Sequence, residues 1–171
     1  QTQSEAGSLD HVAPLAFMYA SQTGVQKSAG KVDFTFKNAF TVLGVNICAE
    51  EGTVDCSGVV FRSKEEVCAV TGTNICVNVA TGALTYDSCE FSNEVTVNVE
   101  TPLTLDTENA QTVYAIVTPG HGGETFEVFA LVGGEEVKIG EVEVPEVGLP
   151  AGALATLDLN VPAPEVPVVG E

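Results

Sequence analysis

The chain has 171 residues, 44% of them apolar, which suits one ordinary domain with a real core. Six Lys and Arg stand against 24 Asp and Glu, a formal net charge of −18. That balance excludes nucleic acid, whose phosphates need cationic partners, and anionic membrane surfaces. The charge is uneven: residues 1–64 are net −1, and residues 65–171, whose only cation is Lys138, are net −17. Such a chain could pair head to tail, although high negative charge also simply keeps a protein soluble.

Gln1 to Asp10 is polar and is expected to be disordered. It has no basic n-region, so a leader is expected to have been removed, leaving Gln1 as the first residue of the mature chain. Residues 12–20, VAPLAFMYA, are continuously apolar. Pro14 and the shortness of the run disfavour a helix, so an extended segment buried on both faces is predicted. A polar linker, Ser21 to Gly30, follows. KVDFTF (31–36) alternates, with Val32, Phe34 and Phe36 on one face, and predicts a half-buried strand. Further strands are predicted in 39–48, 59–61, 74–80, 83–87 and 94–100. Ser63 to Glu66 has capping-box spacing for one helical turn.

From Thr101 onward the pattern is strand and turn. Strands in 111–118, 124–132, 136–144 and 152–161 are separated by Pro-Gly, Gly-Gly and Pro punctuation. The tail 162–171, with Pro162, Pro164 and Pro167, is predicted to be extended. The fold class is therefore all-β: a β-sandwich of immunoglobulin-like or jelly-roll type with nine or ten strands. Its expected layout is an N-terminal extension (1–20), a sandwich domain (21–161) and a Pro-rich tail (162–171). A split into two small sandwiches near Pro102 is the alternative.

All five cysteines fall between residues 48 and 89. CAEEGTVDC (48–56) and CAVTGTNIC (68–76) share the pattern C-A-x-x-G-T-x-x-C. If each is a hairpin centred on Gly52 or Gly72, Cys48 faces Cys56 and Cys68 faces Cys76 at distances that a disulfide tolerates. The units could instead bridge each other, Cys48 to Cys76 and Cys56 to Cys68. Cys89 is left over, as a free thiol or a link between subunits, unless it pairs with one of the four. Disulfide usage places the chain outside the cytoplasm. The spacing does not suit zinc, and only His11 and His121 could assist. Asp106 to Asn109 and Glu135-Glu136 lack the spacing of a dedicated calcium loop and read as solvated surface.

No G-x-S-x-G motif or phosphate-cradling loop occurs, and His121 in PGHGG reads as a turn histidine. No catalytic group, cofactor or metal is expected, and no membrane-spanning run is present in the sequence. The functional segment is expected to be the apolar one. By donor-strand insertion it would leave its own subunit and complete the sheet of the next. Leu15, Phe17 and Tyr19 would face one way, Val12 and Met18 the other. In layout, and in no single motif, the chain is similar to fimbrial and pilus subunits. The expected function is a self-polymerising structural subunit of an extracellular filament; the alternative is a secreted monomeric module that binds a surface or carbohydrate ligand.

Overall fold

The structure is a computed structural model, and it describes residues 1–26, 30–65 and 70–163. Among these the regular elements are all strands. In chain order they are β1 (Thr2–Gln3), β2 (Met18–Tyr19), β3 (Lys37–Asn38), β4 (Thr41–Ala49), β5 (Val54–Ser63), β6 (Thr71–Thr73) and β7 (Cys76–Val77). There follow β8 (Leu84–Thr85), β9 (Glu90–Ser92), β10 (Glu94–Leu105), β11 (Gln111–Val117), β12 (Thr125–Val132), β13 (Glu135–Glu143) and β14 (Leu154–Val161).

Eight strands make two sheets, in the orders β1-β10-β5-β12-β13 and β11-β4-β14. The pairs β1–β10 and β4–β14 are parallel, and the other ladders of these sheets are antiparallel. Alternate residues of facing strands meet between the sheets, as in any sandwich. Val45 and Ile47 of β4 and Val113 of β11 come from one sheet; Val59 and Phe61 of β5, Val97 of β10 and Val128 of β12 come from the other, and all are fully buried. Each such side chain contributes about 1.5–3 kcal/mol relative to exposure. The Gly133-Gly134 turn between β12 and β13 has φ of 60° and 87°, the left-handed pair that a two-residue hairpin of this type requires.

Pro102 does not divide the chain. It lies inside β10, where the register with β5 slips between Asn98 and Leu103. Proline has no N–H for a ladder, and a bulge is where a strand can hold one. Six further short strands form three two-stranded ladders, β2–β3, β6–β9 and β7–β8. The last two ladders form a lobe over residues 70–92, of which only Val70 joins the buried core.

The run 31–36 is not a strand. Val32, Phe34 and Phe36 are exposed, Phe36 at 64%, because no neighbouring strand lies beside them. Ser63 ends β5, and its Oγ accepts from Glu65 N at 3.1 Å. The rest of the expected helical turn, and the tail from residue 164, lie outside the described residues.

Candidate functional site

β10 and β11 are consecutive in the chain but lie in different sheets, so a seam runs between them. Residues 1–11 close it. Their backbone serves β10: Gln1 N donates to Thr96 O at 2.8 Å, and Asn98 N donates to Gln1 O at 2.9 Å. Their side chains serve the outer edge of β11. The Gln1 amide donates to Ile116 O at 2.9 Å and accepts from Ile116 N at 3.0 Å. The Gln3 amide donates to Thr112 O and accepts from Tyr114 N, both at 2.9 Å. Gly7 N also donates to Thr112 O, and His11 Nε2 donates to Tyr114 O at 2.7 Å. Buried backbone groups must be paired, and here side chains do what a neighbouring strand would do. Gln3 is fully buried in consequence. The expectation of a disordered opening is thus corrected. The signal was present as Gln-x-Gln, since alternate residues of an extended segment share a face.

The apolar segment differs from its predicted form. Residues 9–16 wind into a turn, in which Ala13 N donates to Leu9 O at 3.2 Å and Ala16 N to Val12 O at 2.8 Å. Winding splits the apolar run over several faces. Val12 is buried, whereas Leu15, Phe17 and Met18 are exposed. Tyr19 is half-buried, with its ring against Gly82 of the lobe where a Cβ would collide with it. Leu15 and Phe17 line a cleft of about 400 Å³ between lobe and sandwich, with Ile75, Val77 and Ile116. Of the thirteen exposed large apolar side chains among the described residues, eight lie between Leu9 and Phe36, so this stretch is where the molecule leaves apolar surface uncovered.

The cysteine repeat does not fold twice into one hairpin. Gly52 turns with φ of 60°, but the chain crosses there from β4 in one sheet to β5 in the other, so no ladder sets Cys48 opposite Cys56. Cys48 is half-buried; Cys56 is buried, and its Sγ donates to Gly58 O at 3.1 Å. Gly72 is not a turn residue: it sits within β6, paired with Phe91. Cys68 lies outside the described residues. Cys48, Cys56, Cys76 and Cys89 carry free thiols, and the last two both reach the Asn74 carbonyl oxygen in the lobe.

Sequence reasoning missed a polar network around His121. Its Nδ1 lies 3.0 Å from Glu124 Oε2 and its Nε2 lies 2.9 Å from Thr118 Oγ1. The side chain is 6% exposed, so this is a buried tie rather than an open turn. The order Thr–His–Glu imitates a nucleophile, base and orienting carboxylate, but Thr118 is itself buried. Asp106 accepts from Glu108 N at 2.8 Å and Asn109 N at 2.6 Å; hydrogen bonds from Asn109, then from the Glu108 backbone, hold its carboxyl below the usual range. The carboxylate of Glu136 is engaged by Arg62.

The structure is thus a β-sandwich in which the chain's own N-terminal residues occupy the seam between its two sheets. Residues 4–169 match the fimbrillin-like family, and the chain belongs to it. No curated protein matches the chain. Among solved structures it is similar to a candidate cell adhesion protein of Bacteroides uniformis, with 18% identity, a TM-score of 0.52, and coverage of 92% of this chain and 60% of that one. Similar candidate cell adhesion proteins of Bacteroides fragilis and Bacteroides ovatus are 16% and 18% identical. They give TM-scores of 0.47, with 77% and 75% of this chain covering 44% and 42% of theirs. The chain therefore spans little more than half the length of the first of these, and the likeness concerns the fold.

Proposed function

We propose that the chain is a structural subunit of an extracellular, pilus-like filament, joined to its neighbours through its N-terminal segment. One observation carries this reading: residues 1–11 close the β10–β11 seam by backbone pairing to β10 and mainly by side chains to β11, and the stretch that follows leaves most of its large apolar residues exposed. In the proposed exchange the segment of one copy takes the seats on the next. Gln1 and Gln3 meet β10 and β11 of the neighbour, while Leu15, Phe17 and Tyr19 cover its cleft, with Val12 and Met18 turned the other way. Each copy gives one segment and receives one, so the contact does not close on itself and a filament grows. The stretch from Ala20 to Phe36 reaches roughly 60 Å when extended, enough to cross to a second molecule. Membership of the fimbrillin-like family supports a surface-assembly role without chemistry of its own.

The test compares the full chain with one beginning at Ser21, by electron microscopy and sedimentation. Filaments from the full chain alone support the reading. A synthetic peptide of residues 1–20 should bind the shortened chain saturably, which separates loss of exchange from loss of folding. A monomer at high concentration, with no uptake of the peptide, would overturn the filament and favour a monomeric adhesion module.

A further inference from the structure

The lobe at residues 70–92 brings two thiols to one oxygen. Cys76 Sγ lies 3.8 Å from Asn74 O, and Cys89 Sγ lies 3.2 Å from the same atom. Two ladders create the meeting. Thr73 pairs with Glu90 in β6–β9, so the next step sets Asn74 beside Cys89. Asn74 then turns with φ of 58°, a left-handed conformation that asparagine tolerates, and the chain re-enters a ladder with Cys76 opposite Thr85. The carbonyl between the two ladders is thereby aimed at both sulfurs. Cys76 is exposed and Cys89 half-buried, so a reagent can reach the pair. Cys56 is enclosed in the core and has no such access.

We propose that Cys76 and Cys89 are a redox pair that closes to an intramolecular disulfide when a small or protein disulfide reaches the lobe. The exposed Cys76 is the entry thiol. Its thiolate attacks one sulfur of the donor, breaking the donor S–S bond, expelling one thiolate and leaving a mixed disulfide on Cys76. The Cys89 thiolate then attacks the Cys76 sulfur and expels the second donor thiolate. The protein loses two electrons and two protons as its thiols become a disulfide, and the donor is reduced to two thiols. Asn74 O loses two weak donors on a face open to solvent. The product ties the start of β7 to the residue before β9. That tie suits a lobe that has almost no core to hold it, since small units with little buried apolar surface gain most from a covalent staple.

The closure also bears on the N-terminal segment, because Tyr19 rests on Gly82 inside the loop that the bond would close. The inference stands on the sulfur geometry alone and does not require the exchange proposed above.

The experiment uses the full chain, reduced, then exposed to oxidised glutathione and alkylated without reduction. Digestion with chymotrypsin and thermolysin, which cut at Tyr86 and before Ile75, separates Cys68, Cys76 and Cys89 onto different peptides for mass spectrometry. The expected product is a Cys76–Cys89 linked peptide lighter by two hydrogens, together with severalfold slower cleavage after Tyr86 than in the reduced chain. Cys76→Ser should abolish the link and leave Cys89 open to alkylation, and Cys89→Ser should do the converse; both changes are at solvent-accessible positions. A bond from Cys68 to either thiol, a bond between chains, or full alkylation of both after oxidation would each overturn the proposal.

Discussion

Gln3 sits against β11 as a strand backbone would: its amide nitrogen donates to Thr112 O and its amide oxygen accepts from Tyr114 N, both at 2.9 Å. The Gln3 side of both bonds is buried and the β11 side half-buried, and the same nitrogen also donates to Glu5 O at 2.7 Å. Gln3→Ala removes both partners from the edge at once. Leaving buried backbone groups without a bond costs about 1–3 kcal/mol each, and Gly7 N still serves Thr112 O. The expected loss is about 2 kcal/mol in urea unfolding. Gln3→Glu should be worse, since an ionised carboxylate cannot donate to Thr112 O and is costly to bury. An unchanged midpoint for both variants would show that the seam does not depend on this amide.

Arg62 ties four strands together. From β5 it reaches Glu94 on β10 at 2.7 Å, and it passes over the Phe129 ring of β12, 4.8 Å from the ring centre, to Glu136 on β13. Hydrogen bonds that it donates to Glu136 and then to Glu94 push its pKa further above the usual arginine value. Arg62→Lys keeps the charge but loses the forked contact and the stacking. A loss of about 1 kcal/mol is expected, shrinking as salt is raised because the group is partly open to solvent. Denaturant titrations at low and high ionic strength measure it.

Acid should loosen the outer face of the five-stranded sheet. Lys138 and then Lys64 hold the Glu141 carboxyl down at about 2, against an ordinary 4.5. A carboxyl lowered by folding stabilises the folded form fully above its unfolded value and loses that contribution as pH falls through the folded one. Stability should therefore drop between about pH 4.5 and pH 2. Glu141→Gln should flatten that part of the curve, as followed by urea midpoints across the interval.

The thiols should differ in reactivity. Burial pushes the Cys56 pKa up, against hydrogen bonds from Gly58 and Leu131 that lower it, so Cys56 stays a protonated thiol at mildly alkaline pH. Among the four described cysteines, Cys76 should be alkylated first and Cys56 only on unfolding. Timed mass spectrometry reads the order, and early labelling of Cys56 would contradict the packing.

Tyr86 offers an independent view of the lobe. Desolvation first, and the charge of Cys89 second, raise its pKa. Cys89→Ser removes the second cause, so the Tyr86 phenol should ionise at lower pH in the variant. Ultraviolet titration compared with a Tyr86→Phe control isolates the group.

The long strands were legible because their sequence and their surroundings agree. Val95, Val97 and Val99 alternate in the sequence and are buried in β10; Gly133-Gly134 reads as a turn and makes one. KVDFTF alternates equally well and stands exposed, since a period of two records which side chains share a face, not whether another strand is there to cover them. The two cysteine nonapeptides match in letters, yet one crosses between sheets and the other contributes β6, because their neighbours differ. β1 escaped notice for a different reason. Its contribution is hydrogen bonding by polar side chains, and apolar periodicity is blind to that.

The spacing of the Gln1 and Gln3 amides has a consequence for identity. Gln1 and Gln3 address Ile116 and then Thr112 and Tyr114, so the edge of β11 is met at two-residue intervals by groups that both donate and accept a hydrogen bond. A foreign segment could supply backbone to β10 whatever its side chains, but without amides at the same interval it would leave the β11 edge bare. In the exchange proposed above, the seam would therefore select for sequence as well as shape, and mixed populations of related chains would sort by their opening residues.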